Sequence, residues 1–246
     1  MERFYRKWTN SKDLIAQEVI VSETDLLISA EKDIKEPAEK LIKKFRAQIE
    51  DYIKKHPEFK TSLVPLELPR RNLRQLCWRR FRLGIIKDML EASKLAGVGP
   101  MAAIAGAIAE YVGKGLLSET KEIIVENGGD IFIKSEKERH VAIFAGDSPL
   151  SNKLSIKVKA QDTPCGICTS SGTVGHSLSF GKADACVIIS KSVALADAVA
   201  TAACNRVKTK HDIKPALEFA TSIKGIQGAL IVLGKDFGVS GNIELK

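Results

Sequence analysis

The chain lacks any run of apolar residues long enough to cross a membrane. No segment approaches about eighteen consecutive apolar residues, the length that a membrane-spanning helix needs. The first ten residues, MERFYRKWTN, are charged and aromatic, so they lack the apolar core of a signal peptide. We therefore expect no membrane partner and a cytoplasmic location. The composition, with 44% hydrophobic and 28% charged residues, is that of a soluble globular protein.

The cysteines do not suit a disulfide framework, because there are five of them and no export signal. CGIC, from Cys165 to Cys168, has the C-x-x-C spacing of zinc and redox sites. A zinc site needs a second pair of ligands, which the remaining cysteines and histidines do not supply. A redox pair is typical of a strand-to-helix junction, whereas these two residues lie at the start of a predicted strand. We interpret the cysteines as small buried thiols.

Acidic residues are absent from Arg70 to Arg82, where six arginines are concentrated. The formal net charge is +8, but without these arginines 32 basic residues face 30 acidic ones, so the basicity is local. Trp78 and Phe81 are able to stack on bases, which makes RNA binding an alternative. A solvated irregular segment at about 69–83, between two helices, is the favoured interpretation, and we expect no nucleic-acid partner.

Helical patterns dominate the first half of the chain. EVIVSETDLLISA predicts two short strands around a polar turn. AEKLIKKFRAQIEDYIKKH follows Pro37 and repeats apolar residues every three or four positions, which predicts a helix that ends before Pro57. IIKDMLEASKLAG predicts a helix that ends at Gly97, and GPMAAIAGAIAEYVGKGLL predicts one that begins at Pro100 and lies close to other backbone.

Strands dominate the second half. EIIVENGGDIFI, HVAIFAG, LSIKVKA and DACVIIS read as strands, and GALIVLG with GVSGNIEL as a final pair. SVALADAVATAACNRV predicts a helix with Ser192 as its N-cap, and IKPALEFATSI predicts another. Antiparallel hairpins are more evident than parallel crossovers. The sequence therefore predicts an α+β fold, with helices packed on a mostly antiparallel sheet, in one domain over residues 1–246.

Three segments carry candidate functional residues, and the first is Asn127-Gly128-Gly129-Asp130. Asn-Gly between two strands is a strong signal for a tight hairpin turn. The same glycines also let a ligand approach the backbone, and Asp130 is able to accept a hydrogen bond from a ribose hydroxyl or a heterocycle. On local pattern alone, the structural interpretation is favoured.

The second segment is the apolar helix around Asp197. From Val193 to Ala203 only Asp197 and Thr201 are polar, and their spacing of four places them on one face. A buried carboxylate needs compensation, either from a hard cation such as Mg²⁺ or from hydrogen-bond donors of a nearby loop. The pattern leaves these two alternatives open.

The third segment is TSSGTVGH, which contains Ser170, Ser171, Gly172, Thr173 and His176. The elbow pattern of serine hydrolases is absent, so these hydroxyls are better suited to contact a phosphate or a sugar. A lone histidine in such a loop is a general base, a ligand or a hydrogen-bonded structural residue.

The order VENGGDIFI, CTSSGTVGHSLSFGKADA and SKSVALADAVATAACN resembles that of a prokaryotic family of uncharacterised proteins related to ApbE, the FAD-dependent protein FMN transferases. HPEFKTSLVPLE and EASKLAGVGPMAAIAGAIAEYVG carry the same resemblance. It implies a T-fold-like architecture, with antiparallel sheets that carry helices on one face. It also implies a small-molecule nucleotide ligand, FAD or FMN, with Mg²⁺.

The resemblance also implies roles for individual residues. It places the metal on Asp197 and Thr201, and it makes His176 the catalytic residue that assists proton transfer. The nucleotide contacts that it implies are Asn127, Gly128, Gly129, Asp130, Ser170, Ser171, Gly172 and Thr173. The sequence departs from ApbE enzymes after His176, because SLSFGKAD stands where they have an Asp-Pro-x-Thr-Gly loop. The alternative is a T-fold protein that binds a pterin or purine through Asp130 without catalysis, and homo-oligomers are expected for such folds.

Overall fold

The computed structural model describes residues 3, 5–6, 13–67, 84–174 and 179–246. The predicted basic segment at about 69–83, Cys77 and His176 lie outside the described residues. The strands are β1 Ile15–Val21, β2 Thr24–Ala30, β3 Ile123–Asn127, β4 Asp130–Lys134, β5 Arg139–Ala142, β6 Ser155–Val158, β7 Cys165–Ser170, β8 Ala185–Ser190, β9 Ile226–Leu233, β10 Asp236–Gly241 and β11 Glu244–Leu245. The helices are α1 Lys35–Lys55, α2 Glu58–Thr61, α3 Gly84–Ala96, α4 Ile104–Leu116, α5 Val193–Arg206 and α6 Ile213–Ser222.

The strands form two antiparallel sheets. The larger sheet has eight strands in the order β1-β2-β3-β4-β7-β8-β9-β10, and each neighbouring pair is antiparallel. The smaller sheet has the order β11-β6-β5. Most neighbours in the larger sheet are also consecutive in sequence, which is the arrangement that hairpin signals favour over parallel crossovers. The predicted α+β class with antiparallel sheets is confirmed.

Both faces of the larger sheet pack against other parts of the chain. Successive strand residues point to opposite faces, so in β4 Phe132 joins the core that contains the buried residues of all six helices, whereas Ile133 joins a second core. The second core contains strand and loop residues, including Ile156 of the smaller sheet. The helices therefore lie on one face, as expected, and the smaller sheet covers part of the other.

Helices α4 and α5 approach closely where Gly106 of α4 faces Val193 and Asp197 of α5. A Cβ atom on Gly106 would lie 2.6 Å from the carbonyl oxygen of Val193 and 2.8 Å from Cβ of Asp197. A Cβ on Gly166 of β7 would lie 2.7 Å from Cα of the same Val193. The start of α5 is thus held closely between α4 and the sheet, which accounts for the small residues in both helices.

Replacing Gly106 by alanine is expected to lower the free energy of unfolding by about 2 to 3 kcal/mol, because backbone atoms must move to admit the methyl group. Gly115 of the same helix provides the control. It is exposed, and an added Cβ meets only the movable end of the Leu41 side chain, at 2.8 Å. Gly115→Ala should be neutral or stabilise by about 0.5 to 1 kcal/mol. Urea unfolding measures both, and equal effects at the two glycines would contradict this packing.

Most predicted elements are present, although some of their boundaries differ. Ser192 caps α5 as predicted, since its hydroxyl accepts a hydrogen bond from the amide of Leu195 at 3.3 Å. The helix predicted from Pro100 is instead a 3₁₀ turn over Pro100–Ala103 followed by α4. Ala103, with φ −115° and ψ 5°, interrupts the helical backbone between them. The interruption creates a helix N-terminus, with free amide groups, inside the protein.

Among the described residues, no single helix is long and apolar enough to cross a membrane. α3 and the residues 100–116 meet that criterion only as a pair, with a bend of 107° between them.

Candidate functional site

The glycine turn joins β3 to β4 as a two-residue hairpin. Gly128 and Gly129 have φ values of +67° and +101°, and Asn127 pairs with Asp130 across the turn. Both glycines therefore occupy left-handed backbone regions that other residues adopt with strain. The side chain of Asn127 is buried and donates from Nδ2 to the carbonyl oxygen of Ala105, at 3.1 Å. The predicted hairpin is present, and it is tied to the segment that begins α4.

Asp197 lies under the N-terminus of α4. Its Oδ2 accepts a hydrogen bond from the amide of Gly106, the third residue of that helix, at 2.8 Å. The sequence left two ways to compensate this buried acid, a hard cation or hydrogen-bond donors of a nearby loop. The contact with the Gly106 amide is of the second kind. The backbone amides of Gly106 and Ala105 thus partly compensate the buried carboxylate. Thr201 follows one turn later on α5 and is half-buried.

Asp130, the first residue of β4, and Asp197 of α5 form a pair of buried acids beside Cys168 of β7. Burial, reinforced by the negative charge of Asp197, raises the pKa of Asp130 well above its usual value. Burial also raises the pKa of Asp197, to about 7, although the amides of Gly106 and Ala105 favour its charged form. Among the described residues, Oδ1 of Asp130 has no hydrogen-bond partner. A positive charge or a hydrogen-bond donor next to these acids would therefore stabilise their charged forms.

The donor set of this site fits a hard cation. Two carboxylates and the Thr201 hydroxyl are oxygen ligands, which Mg²⁺ prefers. Within the described part of the chain there is no cluster of three or more histidine, cysteine, aspartate or glutamate side chains able to hold a metal. A cation bound by Asp197 and Thr201 would thus complete its coordination with carbonyl groups, water or oxygens of a ligand.

The hydroxyl-rich segment lies at the same end of the sheet, directly after β7. Ser170 points to the same face as Cys168, the β7 residue that pairs with Asp130, and its buried hydroxyl has no hydrogen-bond partner among the described residues. The Ser171 hydroxyl accepts from the amides of Thr173 and Val174, at 3.1 and 2.9 Å. Thr173 donates to Asp184 at 3.0 Å. Ser171 and Thr173 are therefore engaged within their own loop, whereas the buried hydroxyl of Ser170 lies beside the thiol of Cys204 on α5.

Two buried glutamates near the site were missed from the sequence. Glu110 of α4 is 3% exposed, and its Oε2 accepts from the amides of Val193 and Ala194 at 2.7 and 3.1 Å. Glu126 of β3 is 8% exposed and accepts from the amide of Gly129 at 2.9 Å. The signal that identifies them is a single acid in an apolar stretch, the same signal that identified Asp197.

Helices α4 and α5 therefore cap each other. Glu110 of α4 binds the first amides of α5, while Asp197 of α5 binds an early amide of α4. Carboxylates at helix N-termini are stabilised by free amide groups and by the helix dipole. This reciprocal arrangement fixes the position of Asp197 relative to the glycine turn.

The described cysteines are buried free thiols, as interpreted from the sequence. Burial raises the pKa of Cys165 to about 11 and the pKa values of Cys168, Cys186 and Cys204 above their usual value. Since the thiolate is the reactive form, such thiols are inert in the folded protein.

In a Cys77→Ser background, we expect no reaction of the folded protein with Ellman's reagent at pH 8 over minutes. All four thiols should react once the protein is unfolded, because their pKa values then return to about 8.5. Stoichiometric reaction of the folded protein would show that at least one thiol is accessible and ionised.

The chain matches known proteins over most of its length. A family model described as AbpE bacteria matches residues 6–243. A UPF0280 protein of Methanocaldococcus jannaschii is 39% identical over 231 residues, which cover 92% of this chain and 90% of that protein. A UPF0280 protein of Methanosarcina acetivorans is 38% identical over 210 residues, which cover 85% of this chain and 79% of that protein.

Solved structures of ApbE proteins share the fold. The flavin transferase ApbE from Vibrio cholerae superposes with a TM-score of 0.58 at 13% identity, and the match covers 94% of this chain and 97% of that one. The ApbE protein from Thermotoga maritima gives a TM-score of 0.56 at 14% identity, with 92% and 97% covered. At these identities the likeness concerns the arrangement of helices and strands.

Proposed function

The chain belongs to the AbpE bacteria family, and from this membership we propose that it binds a flavin nucleotide, FAD or FMN, together with Mg²⁺. The observation that carries the proposal is the pair of buried acids Asp130 and Asp197, with an unpartnered carboxylate oxygen next to a glycine turn. A nucleotide site with a divalent cation would satisfy this pair.

In the proposed site, Asp197 and Thr201 hold the metal. Bound Mg²⁺ would neutralise the phosphate groups of the ligand. Asp197 keeps its Oδ2 on the amide of Gly106, and in this proposal its other oxygen binds the metal. The glycine turn and Ser170 contact the nucleotide, since both lie at the same end of the sheet and Ser170 has a buried hydroxyl to offer. His176 as the catalytic residue of a transfer reaction stays a prediction.

The titration of the purified protein with FAD, FMN and riboflavin in the presence of Mg²⁺ tests the ligand class. We expect FAD or FMN to bind at least tenfold more tightly than riboflavin, because riboflavin has no phosphate for the metal. Equal affinity for the three flavins would contradict the role of the metal. Absence of binding by all of them would overturn the proposal.

One observation also favours a second candidate function. The unpartnered Oδ1 of buried Asp130 is a suitable acceptor for a ring N–H of a pterin or a purine. This candidate predicts pterin affinity that does not change when Mg²⁺ is removed with EDTA. Titration with a pterin in both buffers separates it from the first proposal. Assembly into homo-oligomers stays a prediction.

A further inference from the structure

A second carboxylate contacts the glycine turn from the face opposite the helices. β3 alternates between the two cores, with Val125 on the helix side and Ile124 on the other. Glu126 follows the alternation and points away from the helices. Its Oε1 accepts the hydrogen bond from the amide of Gly129, at 2.9 Å. The amide of Gly129 therefore already has its hydrogen-bond acceptor in Glu126.

Tyr5 and Arg6 hold Glu126 in place. Nε of Arg6 donates to Oε2 of Glu126 at 2.6 Å, and Tyr5 donates from its hydroxyl to Oε1 at 3.0 Å. Arg6 also pairs with Asp25 at 2.6 Å and with Glu18 at 2.9 Å, in the hairpin of β1 and β2. The Arg6 and Glu126 side chains are only 9% and 10% exposed, so the ion pair between them is shielded from solvent.

The contacts of Glu126 with Gly129, Tyr5 and Arg6 restrict the conformation of the glycine turn. Two consecutive glycines impose little conformational preference of their own. The turn is held on one side by the carbonyl oxygen of Gly129, which accepts from the amide of Thr169 at 3.2 Å, and on the other by Glu126. Since Asn127 and Asp130 flank the glycines, their positions depend on the same contacts.

We propose that Glu126, fixed by Arg6, is a positioning residue that holds the glycine turn in the conformation that binds the nucleotide. The inference rests on the proposed function and adds a coupling to it. A ligand that stabilises the turn also stabilises the contact between Arg6 and Glu126, because linkage between two binding events is reciprocal. Arg6 thus acts on the ligand site through Glu126.

The chain offers a matched control at the other end of β3. Glu122 is also buried, at 5% exposure, and is paired with an arginine, Arg139, at 2.8 Å. Glu122→Gln breaks a similar ion pair far from the turn. Both E126Q and E122Q lose a buried ion pair, but only Glu126 contacts the glycine turn. An effect seen in E126Q alone is therefore an effect on the turn. Arg6→Gln tests the same contact from its other side.

The experiment measures FAD affinity with Mg²⁺ and the rate of trypsin cleavage after Arg6, with and without FAD. We expect E126Q and R6Q each to weaken FAD binding about tenfold, the order of the loss when an outer supporting contact of a site is removed. The double variant should be no weaker than the worse single one, because the two residues act through one contact. FAD should slow cleavage in the wild type and in E122Q, and not in E126Q.

Each outcome is decisive. Wild-type FAD affinity in E126Q overturns the inference and leaves the proposed function intact. An equal loss of affinity in E122Q also overturns it, since the effect then follows stability alone. A wild-type protein that binds neither FAD nor FMN overturns the proposed function and this inference together.

Discussion

Replacing Asp197 by asparagine is expected to weaken FAD binding in the presence of Mg²⁺ about 100-fold and to leave the fold intact. The amide oxygen of asparagine still accepts the hydrogen bond from Gly106, so the cap of α4 is retained. The charge that binds the cation is lost, and removal of one partner from a buried charged pair costs about 2 to 5 kcal/mol. Isothermal titration with FAD measures the effect.

Stability distinguishes this result from a folding defect. The pKa of Asp197 is raised by burial, so the charged carboxylate is unfavourable in the free protein and its removal should not destabilise it. We therefore expect the unfolding free energy of Asp197→Asn to equal or exceed that of the wild type. Ser192→Ala, which removes a capping hydroxyl from the same helix, should lower stability by about 1 kcal/mol and leave FAD affinity unchanged. Full FAD affinity in Asp197→Asn would exclude Asp197 as the metal ligand.

Replacing Glu110 by alanine should lower the free energy of unfolding by about 3 to 5 kcal/mol. Two buried amides at the start of α5, those of Val193 and Ala194, would lose their acceptor, and each unsatisfied buried group costs about 1 to 3 kcal/mol. Truncation of the side chain also leaves a cavity beside Lys114. Chemical denaturation measures the loss.

Glu110→Gln separates the loss of the charge from the loss of the hydrogen-bond acceptor. Glutamine retains one oxygen for the two amides but loses the charge that the helix dipole and Lys114 stabilise. We expect a loss of about 1 kcal/mol, the order of a charge–dipole contact. A loss below about 1 kcal/mol in Glu110→Ala would mean that water or another group replaces the carboxylate as the cap.

Local patterns predict the elements of this protein well. The glycine hairpin, the N-cap at Ser192 and the end of α3 at Gly97 each depend on residues close in sequence, and the structure contains all three. HVAIFAG was predicted as a strand throughout, but β5 ends at Ala142. After Ala142 the chain forms a loop, which is closed by a hydrogen bond from the amide of Asn152 to the carbonyl oxygen of Ile143.

Contacts between residues far apart in the chain are harder to predict from one sequence. The apolar surroundings of Asp197 predicted a buried acid that needs compensation, but not the partner, which lies 91 positions earlier at Gly106. The break of the helix at Ala103 had no clear local signal, and only that break exposes the amide of Gly106. Glu126 and Arg6 are 120 positions apart for the same reason. Periodicity specifies which side of an element is buried, not which element covers it.

The Mg²⁺ dependence of FAD binding tests the central claim most directly. The measurement is the dissociation constant of FAD for the wild-type protein in two buffers, one with Mg²⁺ in excess and one with EDTA. We predict that EDTA weakens binding at least tenfold, because the phosphates of FAD then lose the cation that would neutralise them at Asp197. Identical affinity in the two buffers would contradict the account.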